Sequence, residues 1–149
     1  MGNFHMSDDK RIRPIALCVF RRGDRILVAE GYDEVKGEAF YRPPGGGLRF
    51  GEHSAEALRR EMREEFDVEI TDLRLLDVME NIFTCRGRPG HEIVFVYDAD
   101  PVDPSFYERE PIEGEDTRGG RFRCRWLDPA EVSSETPPVY PDGLVELFA

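Results

Sequence analysis

Three glutamates, Glu61, Glu64 and Glu65, stand three and four positions apart in the stretch SAEALRREMREE. On a helix those steps share one face, so Glu61 adjoins both of the others. Like charges at this spacing cost about 0.2–0.5 kcal/mol per pair. They also crowd the last turns, where the helix dipole is negative and cations are preferred. Local electrostatics therefore opposes the arrangement, and a hard divalent cation with oxygen ligands would reverse each contribution. Interleaved Arg59, Arg60 and Arg63 offer another resolution, a solvated and salt-bridged face.

Just upstream the chain reads Arg42-Pro43-Pro44-Gly45-Gly46-Gly47, followed by Glu52. Glycines after a strand let backbone groups approach a ligand closely. A nucleotide P-loop needs a Gly-Lys-Ser/Thr ending. Here the run continues into Leu48 with no lysine nearby, so that motif is excluded. Alone, three glycines describe no more than a flexible turn.

The elements that must position these groups follow from periodicity. Residues 12–20 (IRPIALCVF) are rich in strand formers, Gly23-Asp24 marks a turn, and residues 25–30 (RILVAE) return as a strand. Residues 31–39 read as a loop, and residues 39–42 as a short strand stopped by two prolines. Ser54 is a suitable N-cap for a helix to about Phe66, with Ala55, Leu58, Met62 and Phe66 as its core stripe. Strand character returns at residues 73–79, residues 86–90 form a turn, and residues 91–99 (HEIVFVYDA) are the strongest strand. The acidic stretch 100–120 reads as a mobile loop, and residues 121–127 (RFRCRWL) as a half-buried strand with Trp126 in the core. Asp128-Pro129 and residues 143–148 suggest short helices. Strands, helix, strands, helix imply an α/β fold, a mixed sheet with helices packed on it.

Composition narrows the function classes. A net charge of −11 argues against a protein that grips long nucleic acid through its backbone. Only Lys10 and Lys36 are lysines, so the cationic side chains are almost all arginines, better forks for phosphate or carboxylate. Cys18, Cys85 and Cys124 are odd in number and widely spaced, which fits neither a disulfide framework nor a zinc knuckle. Cys18 and Cys124 lie in strand-like runs and are expected in the core. No apolar run is long enough to span a bilayer and no secretory segment follows the start, so a cytoplasmic location is expected. The opening MGNFHM reads as vector-derived or disordered, leaving one domain over residues 7–149.

The stretch that opens at Gly46 and closes at Val68 places Glu52, Arg60-Glu61-Met62, Glu64-Glu65 and Asp67-Val68 at fixed spacing. In this it resembles the Nudix box, the signature of Nudix hydrolases. One position departs, because the family usually has Gly where Asp67 stands. That site ends the helix in a left-handed conformation, which Asp adopts at a cost of about 1 kcal/mol. The resemblance implies an α/β/α sandwich that uses Mg²⁺ or Mn²⁺ to hydrolyse a nucleoside diphosphate linked to another group. It implies that Glu61, Glu64 and Glu65 hold the metals, with the Gly45 carbonyl as a further ligand and Glu52 as an outer partner. Arg60 would brace the acids through charge-assisted hydrogen bonds and belongs with them to the catalytic set.

The general base stays open between Glu65, the late acids Glu113, Glu115 and Asp116, and Glu92, which shares a strand face with Val94 and Val96 and so needs a partner. Arg42 and Gly46 are candidates for substrate contact, with a surface salt bridge the other reading of Arg42; Glu115 joins them if the acidic loop swings over the site. Phe40, Tyr41, Phe83, Tyr97 and Phe106 could form a base-stacking wall, although aromatic residues in strands more often serve the core. The expected partner is a small nucleotide or nucleotide sugar, with a homodimer allowed and neither membrane nor long nucleic acid expected. The alternative is a non-catalytic nucleotide-binding or regulatory module on the same fold.

Overall fold

Strand β1 (Ile12–Val19) buries both of its faces, and that property organises the molecule. The computed structural model describes residues 10–148; the expectation for residues 1–6 lies outside them. Ala16 and Cys18 point into one apolar cluster, Ile15, Leu17 and Val19 into another. The elements that follow are β2 (Arg21–Arg22), β3 (Arg25–Asp33), β4 (Glu38–Arg42), β5 (Gly45–Gly47), α1 (Ser54–Phe66), β6 (Ile70–Cys85), β7 (Arg88–Pro101), β8 (Glu113–Glu115) and β9 (Arg121–Leu127).

One sheet has the order β5-β1-β7-β6, with β1 and β7 parallel and the outer pairs antiparallel. The second has the order β2-β3-β9-β8, and β4 pairs with β3. Leu58, Met62 and Phe66 of α1 pack on the first cluster, together with Leu27, Ala29, Phe122 and Cys124 of the second sheet. The opposite cluster is closed by Val139 and Leu144, with Val132, Val145, Leu147 and Phe148 packed against it. The layering is thus the α/β sandwich expected, but the second outer layer is the C-terminal segment with short 3₁₀ turns at Pro129–Glu131 and Val145–Phe148, not an α-helix. Among the described residues no helix is long and apolar enough to cross a membrane.

Several boundaries differ from expectation for physical reasons. The glycine run is a strand, because β5 pairs with β1 so tightly that a Cβ on Gly45 would lie 2.0 Å from the Ala16 carbonyl oxygen. Residues 31–33 extend β3, since Gly31 lets the Phe40 ring lie over it, and Asp33 caps the turn by accepting the Val35 and Lys36 N–H groups. The turn at 86–90 contracts to Arg86-Gly87, both at positive φ, which matches the twist of the long β6–β7 hairpin.

Ser54 is not the N-cap. His53 takes that position without a side-chain bond, and the Ser54 hydroxyl meets Tyr97 Oη at 2.6 Å. Asp67 does adopt the left-handed conformation, φ 52° and ψ 49°, and its N–H reaches the Arg63 carbonyl. The stretch 100–120 is not a mobile loop: a 3₁₀ turn at Pro104–Glu108 buries Phe106, Ile112 is buried, and β8 pairs with β9.

Candidate active site

The helix turns its acids two ways. Glu61 and Glu65, one turn apart, lie buried on the face shared with Ala57, whereas Glu64 is turned toward solvent. The strand β5 lies against this face: a Cβ on Gly46 would come 2.4 Å from the Glu61 carboxyl carbon. Glycine is required there so that backbone and carboxylate can touch.

Arg60 is the cation among the acids. Its Nε donates to Glu52 Oε2 at 2.8 Å and its Nη2 to Glu52 Oε1 at 2.9 Å. Its Nη1 donates to Glu61 Oε1 at 2.9 Å and to Glu64 Oε2 at 3.3 Å, and Nη2 also reaches the Gly47 carbonyl at 2.9 Å. One guanidinium therefore ties α1, β5 and the connecting turn together, as a fixed fork can and an ammonium cannot. The side-chain bond to Arg60, aided by the Arg49 N–H, holds the Glu52 carboxyl down at about 2. Arg60 is in turn held above its ordinary value by Glu52.

Glu65 is left out of this network. It is 6% exposed, and neither carboxylate oxygen has a hydrogen-bond donor. Burial, then the charges of Glu61, Asp116 and Glu64, push its carboxyl well above the ordinary carboxylate range. The neighbouring Glu61 carboxylate is itself an acceptor, so the two can bond only by sharing a proton. Burial also raises Glu61, with Arg60 opposing it. The expected self-repulsion of the acids is thus real but uneven. Arg60 relieves Glu52, Glu61 and Glu64; among the described residues no donor relieves Glu65.

Among the described residues no three His, Cys, Asp or Glu side chains are gathered as a ready cation cage. The donor set nonetheless fits a hard divalent ion, because Glu65 offers two unsatisfied buried oxygens beside Glu61 and next to a glycine strand.

The other candidates sort by position. Arg42 is wholly buried, and its Nη2 donates to Glu92 Oε1 at 2.9 Å. The salt bridge is realised, but inside the protein and not on its surface as expected. Glu92 has the partner that its burial demands, with Asn81 at 3.5 Å and Arg13 at 3.7 Å also near, and so is engaged structurally. Glu113 and Glu115 pair with Arg121 at 3.6 and 3.8 Å, and Glu115 is exposed. Asp116 is the late acid whose charge reaches Glu65. Burial works against its ionised form, yet the Gly120 and Arg118 N–H groups hold its pKa below the ordinary value.

The proposed aromatic wall does not exist as one surface. Phe106 is in the core against Phe20 and Phe66, and Tyr97 is bonded to Ser54. Tyr41 packs in the opposite cluster with Arg125 over its ring. Phe40 and Phe83 do come together, with Cys85 and with Tyr140, whose ring lies 5.9 Å from Phe40. Cys18 and Cys124 are in the core as expected, and Cys85 is buried too. Trp126 is only partly buried and stands edge-on to Tyr107 at 5.3 Å. Two contributors escape the sequence reading: Tyr140, whose partners are remote in the chain, and Arg49, whose N–H donates to Glu52 and whose guanidinium approaches Glu64 at 3.6 Å.

Such a helix, braced by an arginine and abutted by a glycine strand, gathers Glu52, Glu61 and Glu64 around one guanidinium and leaves Glu65 beside them. A profile of the NUDIX domain matches residues 10–145, and the chain accordingly belongs to the Nudix family as a Nudix-type pyrophosphohydrolase. An 8-oxo-dGTP diphosphatase of Proteus vulgaris is 28% identical over 81 residues, covering 54% of this chain and 72% of that protein. The crystal structure of a MutT NUDIX hydrolase from Burkholderia pseudomallei superposes with a TM-score of 0.55 at 20% identity, over 88% of this chain and 92% of that one. A UDP-X diphosphatase structure gives a TM-score of 0.62 at 16% identity, over 95% of this chain and 63% of that one. At those identities the two structures speak for the fold. Nudix hydrolases generally use divalent metals.

Proposed function

We propose that the chain cleaves a phosphoanhydride bond in a nucleoside diphosphate linked to another group, a small nucleotide or nucleotide sugar, with Mg²⁺ or Mn²⁺. The observation that carries this reading is the buried carboxylate of Glu65, which lacks any donor beside acids that Arg60 already satisfies. Glu61, Glu64, Glu65 and the Gly45 carbonyl would hold the divalent ion, which when bound would supply positive charge for the phosphate oxygens and lower the pKa of a water. Arg60 keeps Glu61 and Glu64 oriented, and Glu52 fixes Arg60 from the other side. Glu65 would act as the general base in its ionised form, which a neighbouring divalent cation favours: its carboxylate takes one proton from the water whose oxygen attacks phosphorus, and the burial that raises its proton affinity in the metal-free protein strengthens it as a base. Gly46 lets the substrate phosphates approach the acids without a side chain between them. Glu115, the exposed residue of β8, is the candidate for the substrate's outer end, since it precedes Asp116, whose charge reaches Glu65.

The relatives' names indicate which compounds to offer first: oxidised purine nucleoside triphosphates and UDP-linked compounds. The test is a panel of both, with plain nucleoside diphosphate derivatives, at millimolar Mg²⁺ or Mn²⁺. Release of a nucleoside monophosphate, abolished by EDTA and lowered about a hundredfold or more by Glu65→Gln, is expected. Turnover that survives EDTA, or survives Glu64→Gln and Glu65→Gln unchanged, overturns the mechanism.

A further inference from the structure

The turn between β5 and α1 presents one aromatic ring to solvent with no apolar contact to justify it. Phe50 is fully exposed at 109% of its reference area, whereas the other exposed large apolar side chains reach at most 70%. A lone exposed apolar residue is ordinary on a protein surface. What distinguishes Phe50 is the stiffness and the location of its mount. The Arg49 N–H donates to Glu52 Oε1 at 2.8 Å, and the Glu52 N–H returns to the Arg49 carbonyl at 3.0 Å. Gly51 takes φ +88°, which closes the turn as other residues rarely can. Arg60 then grips Glu52 by both oxygens, and the Arg49 guanidinium extends to Glu64 Oε1 at 3.6 Å. The ring is therefore carried on a turn tied to the acids of α1 on both sides.

We propose that Phe50 is a specificity-determining residue, a platform on which a planar nucleobase of the substrate stacks while its phosphates lie over the acids. The inference rests on the proposed nucleotide hydrolysis. Stacking on an aromatic face tolerates different bases, since each base has a π-face, and is strong enough to govern binding. The backbone that carries the ring is held before the substrate arrives, so binding costs only the ring's own side-chain torsions and not the ordering of a loop. Arg49, one position earlier, carries its guanidinium 3.6 Å from Glu64, so positive charge stands next to the acids over which the phosphates would lie.

The exposure of Phe50 makes the test clean, because its removal takes nothing from the core. Wild type, Phe50→Ala and Phe50→Trp are compared by calorimetric titration with ADP and with inorganic pyrophosphate, both with Mn²⁺, and by melting temperature. Phe50→Ala is expected to bind ADP about tenfold more weakly, the scale of one lost base–aromatic stack. Phe50→Trp should restore binding, while pyrophosphate affinity and melting temperature stay level in all three. Equal ADP affinity in wild type and Phe50→Ala overturns the proposal, as does an equal loss toward pyrophosphate, which would mark a distorted turn. Either result leaves the proposed hydrolysis standing if wild type still turns over the nucleotide panel. Failure of wild type to bind or hydrolyse any nucleotide ends both.

Discussion

Arg60 holds Glu52 by both carboxylate oxygens, Nε to Oε2 at 2.8 Å and Nη2 to Oε1 at 2.9 Å. The same guanidinium serves Glu61, Glu64 and the Gly47 carbonyl, so its loss would be felt at five points at once. Arg60→Ala should lower stability by about 1–3 kcal/mol, a range that discounts the solvent-facing part of the network. Arg60→Lys should recover little, because a point charge cannot reproduce the fork. Urea unfolding of the three proteins checks both statements.

The same pair sets an acid limit. Glu52 titrates at about 2 when folded, below the value near ~4.3 of a free glutamate. A depressed carboxylate contributes stability above its unfolded pKa and loses it as pH falls through its folded pKa. Stability should therefore decline between about pH 4.5 and about pH 2. Glu52→Gln should be less stable near neutrality and flatter across that window. Melting curves at stepped pH decide it.

Glu65 carries the opposite sign. Its carboxyl is raised by burial and by neighbouring acids, so the folded protein holds the proton more tightly than the unfolded chain does. The associated stability is full below the unfolded pKa and is lost as pH rises through the folded one. In metal-free protein at neutral pH, Glu65→Gln should therefore raise stability by about 1–2 kcal/mol, a few degrees in melting temperature. Activity should fall by a factor of about 10²–10⁴ in the same variant. Mn²⁺ should raise the melting temperature of the wild type and do so far less in Glu65→Gln. An unaltered response to Mn²⁺ would detach Glu65 from metal binding.

The adjacent glycines should fail in different ways. A methyl at Gly45 meets the Ala16 backbone at 2.0 Å, and backbone in a paired strand cannot yield. A methyl at Gly46 meets the end of the Glu61 side chain at 2.4 Å, and a side chain can swing away. Gly45→Ala should destabilise by about 1–3 kcal/mol or more. Gly46→Ala should melt near wild type while losing most turnover, because Glu61 is displaced. Paired melting and activity assays distinguish the two.

Arg42 and Glu92 make a fifth case, because removing one member of a buried ion pair strands the charge of the other. Glu92→Ala should cost about 3–5 kcal/mol, as the Arg42 charge remains buried without its carboxylate. Replacing the pair by apolar residues of similar volume should cost much less. A substrate role for Arg42 would instead appear as a raised KM at unchanged stability in Arg42→Lys.

Much of this site was legible in the chain because its parts are local. Glu61, Glu64 and Glu65 are spaced by the helix repeat, Glu52 and Arg60 lie within the same loop and helix, and Asp67 announced a left-handed helix end that the structure contains. The strands were recognisable by pattern, yet their ends were not, since β6 and β7 are prolonged by mutual pairing, not by composition. What only the tertiary structure decided is which charge meets which. Arg42 and Glu92 are distant in sequence and became partners because β4 and β7 are brought together; Phe106 and Ile112 are drawn from an acidic stretch into the core. Burial decided the rest, leaving Glu65 without a donor while Glu64, beside it in sequence, faces water. A sequence states spacing along the backbone, and spacing fixes helical neighbours. The cost of burying a charge depends on everything packed around it, and that environment exists only once the two sheets and the helix have closed on one another.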